Sequence, residues 1–362
     1  MRTVFFAFRD APERRAALRM PESLDRYRLF GLDDFARRGA RVRHNLERDG
    51  MPVWARAAAR AANAGLDVAG GLGGDFTSIL ASLRRANSAD VVFSTVDTVG
   101  IPLMLLKRVG AIRPPIVYAS INLPERLARL RGDRMHRLFR DALRSTRTII
   151  AYAAPEADRL REWLGADTPP VVFMPFGVDI DAFRPVEESR PTVDVVSVGV
   201  DPRRDFELLV AVASRRPELS FRIIATAERV RALGAVPANV AFETDIPLEA
   251  VRQSMAQARL VALAVHENSY SGATTTLLQA MAMAKPVVVS RTDAISKGYG
   301  LEDGVNCRLV PPGDAEAFER TIVEVLADTG AAASLGTRAR EIVEREFSWE
   351  RYTNALWGIL TS

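Results

Sequence analysis

Along all 362 residues, short runs that are apolar throughout alternate with longer stretches in which apolar residues recur every three or four positions. In the first half the runs at 4–8, 91–94, 116–120 and 148–152, with a shorter one at 171–174, predict strands. Helical spacing fills 22–38, 52–64, 75–86, 98–109, 134–145 and 155–164. A strand that is apolar on both faces needs cover on both faces, so these strands predict a parallel sheet sandwiched by helices. The stretch "FGVDIDAFRPVEESRPT" (176–192) mixes turn residues, prolines and charges as an interdomain linker does. Beyond it the pattern restarts. Strands are predicted at 193–198, 221–225, 240–243, 260–265, 287–290 and 308–310, with helices at 204–215, 247–257, 272–284, 314–328 and 331–346. The final "SWERYTNALWGIL" carries Trp349, Tyr352, Leu356, Ile359 and Leu360 on one stripe, which must pack on something.

The predicted class is therefore α/β, with two tandem doubly wound Rossmann-like domains facing across a cleft. The expected division is 1–183 together with the last helix, 347–362, and then 190–346. Ligands of such sheets bind beyond the carboxyl ends of the strands. That rule selects Arg9 and Asp10, residues 95–98 and residues 120–122 in the first half. In the second half it selects residues 199–205, 226–228, 244–246 and 266–274.

Composition narrows the class. A 48% hydrophobic, 26% charged chain is ordinary for a water-exposed globular protein. No apolar run reaches membrane-spanning length, and the apolar start "MRTVFFAFRD" is too short for a signal peptide, so a cytoplasmic location is expected. One cysteine, Cys307, excludes an internal disulfide. The scattered His44, His136 and His266 have no metal-ligand spacing, so no metal is expected. Charge is uneven: residues 1–186 carry a balance of +9 and the remainder −5, together the +4 of the whole chain. The densest basic stretch, "ERLARLRGDRMHRLFRDALRSTR" (125–147), reads as a helix with a solvated arginine face. Its sharper alternative is peripheral contact with an anionic membrane, at the inner face, or with an anionic acceptor. No reading motif or aromatic platform accompanies these arginines, so nucleic acid is not an expected partner.

Two segments carry candidate chemistry. "GVDPRRD" (199–205) lies between a strand and a helix, where free amides favour an anion. Gly199 with Arg203 and Arg204 are candidates for holding a diphosphate. In "SYSGATTTLLQ" (269–279), Ser271 is the expected helix N-cap, and Gly272 allows close approach to a backbone amide. Ala273, Thr274 and Thr275 offer amides or hydroxyls, and Gln279 shares a helix face with Thr275. "GGLGGDF" (70–76) is no dinucleotide fingerprint and reads as a loop, and "DID" (179–181) reads as structural. His266, just past a strand, is a catalytic candidate beside its plainer reading as a hydrogen-bonded structural histidine.

"FMPFGVDIDAFRP" (173–185), "LLQAMAMAKPVVVS" (277–290), "DGVNCRLVPPGDAEAF" (303–318) and "FSWERY" (347–352), in that order, resemble family 4 retaining glycosyltransferases of the GT-B fold. The resemblance covers most of the second half and the final helix. It implies sugar transfer from a nucleoside-diphosphate sugar, UDP-linked in our reading, to the hydroxyl of a small molecule, lipid or glycan. The nucleotide sugar is then a co-substrate, and no further cofactor or metal is implied. The donor is expected on the second domain, the acceptor on the first, and the last helix crosses back to the first. Arg204 stands where the family has a phosphate-binding lysine or arginine. Gln279 and Ser271 stand where it has two glutamates near the donor ribose and sugar. Thr244 and Ile246 are candidates for the ribose and nucleobase, and Asp97 and Asn122 for catalysis on the acceptor hydroxyl. The chain departs from the family in three places. Val200 replaces a frequent arginine, Ser120 and Asn122 of "YASINLPER" stand where a histidine is usual, and Ser271 has no charge. Two rivals remain open at this level. One is a sugar-nucleotide epimerase, from which the missing carboxylates detract. The other is a binding protein with a decayed site.

Overall fold

A computed structural model describes residues 2–20, 23–47, 50–70, 74–166, 168–186 and 190–362. The chain divides into two compact units, Met1–Met174 with Thr353–Ser362, and Pro175–Tyr352. Of "GGLGGDF", residues 71–73 lie outside the described residues.

The first unit holds β1 (Thr3–Ala7), β2 (Arg41–His44), β3 (Val91–Ser94), β4 (Ile116–Ser120), β5 (Thr148–Ala151) and β6 (Val171–Phe173). They form one parallel sheet in the order β2-β1-β3-β4-β5-β6, with Val4 opposite Val91 and Val117 opposite Thr148. Strands β1, β3 and β4 are almost wholly buried, as their unbroken apolar runs require. The hydrophobic pattern does not reveal β2. Its "RVRH" is a half-exposed edge strand with arginine at alternate positions. The helix Pro12–Arg19, also absent from the pattern, buries only Ala17. The expected helix 22–38 is broken in two, because Phe30 and Gly31 both adopt left-handed backbone (φ 53° and 89°).

The second unit holds β7 (Val193–Val198), β8 (Phe221–Ala225), β9 (Val240–Thr244), β10 (Ala258–Leu263), β11 (Val287–Ser290) and β12 (Arg308–Val310). This sheet is also parallel, in the order β12-β11-β10-β7-β8-β9. Its core gathers Val195, Phe206, Leu209, Phe221, Leu260, Val288, Phe318 and Ile322, contributed by strands and by the helices Phe206–Arg215 and Ala315–Ala327. Much of the stretch read as a linker is packed here. Phe176, Val178 and Phe183 are buried, and Val178 exchanges backbone hydrogen bonds with Phe347 and Trp349 at 2.9 and 2.7 Å. The "DID" segment is a turn in which Asp179 Oδ1 accepts from the amides of Asp181 and Ala182.

The apolar stripe of the last helix, Trp349–Thr361, finds two partners. Trp349 and Tyr352 pack on Phe176 in the second unit, at 5.7 and 4.8 Å between ring centroids. Residues 353–362 belong to the first unit. There Trp357 lies 4.9 Å from Phe35, and Arg147 and Arg2 donate to the carbonyl of Ser362. Both strand orders contain a reversal. In the first unit the chain goes from β1 to β2 on one side and returns to β3 on the other. In the second it leaves β7 for β8 and β9 and returns to β10. Ligand crevices of doubly wound sheets open at such points.

Candidate functional site

The crevice of the second unit lies beyond the carboxyl ends of β7 and β10, where the two segments singled out in the sequence meet. The loop after β7 carries Gly199, Asp201, Arg203 and Arg204. The loop after β10 carries His266 and then the turn that starts the helix Thr274–Ala282. The two loops are tied together. The backbone of Arg204 bridges Val265, and the amide of His266 donates to the carbonyl of Arg203 at 2.8 Å. Tyr270 Oη donates to the Asp201 carboxylate, at 2.8 and 3.0 Å from its two oxygens. Asp201 Oδ1 also accepts from the Arg203 amide at 2.8 Å.

Arg204, a candidate for holding a diphosphate, does not present its guanidinium to solvent. It is 1% exposed and folds inward beneath Gly199, with Nη2 donating to the Val198 carbonyl. Its Nε and Nη1 are buried with no hydrogen-bond partner. Burial lowers its pKa to about 10, with Asp201 acting in the opposite direction. The Arg204 charge therefore lies behind the Gly199 loop and not at the surface. The side-chain oxygens of Ser197, Asn268 (Oδ1) and Ser269 are likewise buried without partners. Buried polar groups are normally satisfied. Ser197 lies near the end of β7, and Arg204, Asn268 and Ser269 lie on the loops that follow β7 and β10.

Ser271 is not the helix cap. Ala273 takes that position in a left-handed conformation (φ 69°) with no side-chain cap, while the Ser271 carbonyl accepts from Thr274 Oγ1 at 2.8 Å. The first amides of this helix are thus left without a side-chain acceptor, the arrangement that favours an anion. Gly272 sits in a tight place whose crowding neighbours belong to the protein. A Cβ there would stand 3.3 Å from Asp201 Oδ1 and from Tyr270 Cε2. Thr275 is half-buried, and Gln279 is buried on the same helix. His266 Nδ1 lies 3.4 Å from Asp205 Oδ2, with half of its side chain exposed. Asp205 in turn caps the helix Phe206–Arg215. Thr244 and Ile246 sit apart from this cluster, at the end of the edge strand β9 with β8 between it and β7. That is two strand spacings, about 10 Å, from β7.

In the first unit, Asp97 is not an exposed base. It starts the helix Asp97–Arg108, is 1% exposed, accepts from Tyr118 Oη and pairs with Arg126 Nη1 at 3.1 Å. Both carboxylate oxygens are thus engaged, Oδ1 by Tyr118 and Oδ2 by Arg126, and the group is closed off from solvent. Burial raises its pKa against the pull of Arg126. Asn122 adopts left-handed backbone (φ 64°) as the N-cap of Leu123–Leu127, with its Oδ1 buried and unpartnered. Sequence reasoning missed Glu156, which is 0% exposed and accepts from Ser120 Oγ at 2.6 Å. Burial pushes its pKa up to about 8, although the Ser120 hydroxyl pulls the other way. A glutamate in the first turn of a helix reads as an ordinary surface residue, so no sequence signal marked it.

Among the described residues no group of three or more His, Cys, Asp or Glu is arranged to hold a metal ion. No helix among them is long and apolar enough to cross a membrane.

Residues 180–328 match the family described as "Glycosyl transferases group 1". The D-inositol 3-phosphate glycosyltransferase of Segniliparus rotundus is 25% identical over 297 residues, covering 74% of this chain and 63% of that protein. The chain thus spans under two thirds of this curated relative. Among solved structures, sucrose-phosphate synthase from Thermosynechococcus elongatus superposes with a TM-score of 0.73 at 17% identity, over 99% of this chain and 98% of that one. HepE from Anabaena, solved with UDP-glucose, superposes at 0.68 and 15% identity over the full length of both. The second unit thus matches the glycosyl transferases group 1 model over residues 180–328, and the chain as a whole has the fold of the GT-B glycosyltransferases.

Proposed function

We propose that this chain is a retaining, metal-independent glycosyltransferase of the family 4 type. It would move a sugar from a UDP-linked donor bound on the second unit to an acceptor hydroxyl bound on the first. The observation that carries the donor site is the cluster of unpaired buried polar atoms on Ser197, Arg204, Asn268 and Ser269 beside an uncapped helix start. A diphosphate supplies acceptor oxygens for the serine hydroxyls and the uncapped helix start, and its negative charge offsets the buried Arg204. UDP is favoured because HepE, of the same fold, is solved with UDP-glucose.

In the reaction the acceptor oxygen forms a bond to the anomeric carbon while the bond from that carbon to the β-phosphate oxygen breaks. The electron pair goes to the departing phosphate, and that phosphate takes the acceptor proton on the same face. The protein's main task is to stabilise charge on the leaving diphosphate. The buried Arg204 charge, Arg203 and the amides of Ala273, Thr274 and Thr275 meet it without a metal or other cofactor. Gln279 in place of a carboxylate can both donate to and accept from a ribose hydroxyl. Thr244 and Ile246 receive the nucleobase at the β9 end, and His266 on the second unit and Asn122 on the first are the candidates for catalysis. The exposed Arg131, Arg134 and Arg137 also support contact with an anionic surface at the inner face of a membrane.

Incubation with a panel of nucleotide sugars tests this reading. Release of nucleoside diphosphate, slow without acceptor and abolished in Arg204→Met, is the expected result. Isomerised donor would instead indicate an epimerase, and absence of any nucleotide binding a decayed site.

A further inference from the structure

The crevice of the first unit, beyond β1 and β3, holds a cluster that the donor chemistry does not use. The chain leaves β1 through Phe8, which Asn45 fixes by accepting from its amide and donating to its carbonyl, both at 2.8 Å. Arg9 then projects as an exposed residue. Arg14, half-buried in the next helix, donates from Nη1 to the Arg9 carbonyl at 2.7 Å and from Nε to the Arg28 carbonyl at 3.3 Å, with its Cζ 5.9 Å from the Phe30 ring centroid. Arg14 thus ties the backbone of Arg9 to that of Arg28 at the switch point of this sheet.

The carboxylates around them are largely committed elsewhere. Asp10 pairs bidentately with Arg15 at 2.8 and 2.7 Å, and Asp25 pairs with Arg28 at 2.5 Å. Arg9 and Arg14 have no ion pair among the described residues. Burial first, then the charges of Arg28 and Arg9, lower the Arg14 pKa to about 10, only partly opposed by Glu13 and Tyr27. Arg9 and Arg14 therefore carry two guanidinium charges without a carboxylate partner beside these strand ends, and guanidinium donors match phosphate oxygens.

We propose that Arg9, Arg14 and Arg28 form the binding site for a phosphomonoester on the acceptor. The two unpaired charges match the near-dianion of a phosphomonoester better than the single charge of a carboxylate. This assignment rests on the reading of the first unit as the acceptor side, and it places the acceptor phosphate beside the strand ends that reading uses.

Calorimetric titration of the full chain, saturated with UDP so that the second unit is filled, tests it. The probes are glucose 6-phosphate, inorganic phosphate, glucose, and vesicles containing phosphatidic acid. At least one phosphate-bearing probe should bind while glucose does not. Its affinity should fall at least tenfold in Arg14→Ala and in Arg9→Ala but less than threefold in Arg14→Lys, with UDP affinity the same in all four proteins. Binding of the soluble phosphates identifies a free acceptor, and binding of the vesicles alone identifies a lipid headgroup. Phosphate affinity equal in wild type, Arg14→Ala and Arg9→Ala, or no phosphate-bearing probe bound by a protein that binds UDP, overturns the proposal. Arginine-dependent phosphate binding in a protein that fails to bind any nucleotide would instead sink the donor reading and leave this site standing. Thermal melts check folding, and should Arg14→Ala fail to fold, Arg9→Ala and Arg14→Lys decide.

Discussion

The guanidinium of Arg204 lies directly under the backbone of Gly199, so close that a Cβ on Gly199 would stand 2.8 Å from Arg204 Cζ. Gly199 is thus a glycine of close approach, with no positive φ to explain it. Because Arg204 is sealed in and its Nη2 is held by Val198, it cannot swing away as a surface arginine would. Gly199→Ala is expected to destabilise the fold by about 1–3 kcal/mol, the usual cost of overpacking. It should also weaken UDP binding at least tenfold, because the displaced charge no longer backs the loop. Calorimetry with UDP and a thermal melt check both. Unchanged UDP affinity in a folded variant would separate Arg204 from the donor site.

Tyr270 and Asp201 join the two loops of the donor crevice through one hydroxyl. Removing that hydroxyl in Tyr270→Phe deletes a hydrogen bond to a carboxylate, worth about 1.5–3 kcal/mol. The turn through Gly272 and Ala273 then loses its tie to the Asp201 loop. The expected outcome is a lower melting temperature and a several-fold rise in KM for the donor, measured against a fixed acceptor. A change in melting temperature with KM unmoved would show that the tie is structural only.

Asp97 gives a test of the proton path. Its carboxylate is buried and engaged by Tyr118 and Arg126, and the proposed proton acceptor is the departing phosphate. Asp97→Asn should lower stability by about 1–3 kcal/mol, the cost of disturbing a buried hydrogen-bonded charge. Its kcat in the folded protein should stay within about tenfold of wild type, well short of the 100-fold or more expected for loss of a general base. A loss of 100-fold or more without loss of stability would restore Asp97 as the base.

Two buried groups give the stability profile opposite slopes on either side of pH 8. Glu156 has its pKa raised by burial from 4.5 to about 8. Between those values the unfolded chain gives up a proton that the folded one keeps, so stability falls as pH rises through that window. Lys285, whose Nζ donates to the carbonyls of Ala256 and Ala258, has its pKa lowered by burial from 10.5 to about 8. There the unfolded chain holds the extra proton, so stability rises between pH 8 and 10.5. Denaturant melts across pH 5–10 should show a minimum near pH 8. Glu156→Gln, which keeps an acceptor for Ser120, should flatten the acid side and leave the alkaline side as it was. An unaltered acid slope in that variant would show that Glu156 is not the group responsible.

The alternation of unbroken apolar runs and helical periods was enough to place β3, β4, β7, β8, β11 and β12 at their observed ends. All but the edge strand β12 are largely buried on both faces, so burial itself writes the pattern. The edge strand β2 and the helix Pro12–Arg19 bury too little to write one. The sequence also placed Gly199, Arg203, Arg204, His266 and the turn and helix start at 271–279 beyond strand ends of the second sheet, because ligand sites of doubly wound sheets lie at strand ends in a fixed topology. Tertiary structure alone decided how each residue is used. It turned Arg204 inward, moved the helix cap from Ser271 to Ala273, closed Asp97 with two partners and buried Glu156 on Ser120. It also drew Arg9, Arg14 and Arg28 together beyond β1. The physical reason is that periodicity records only whether a position is inside or outside. The state of a polar side chain depends on which groups other strands and loops bring within hydrogen-bonding distance.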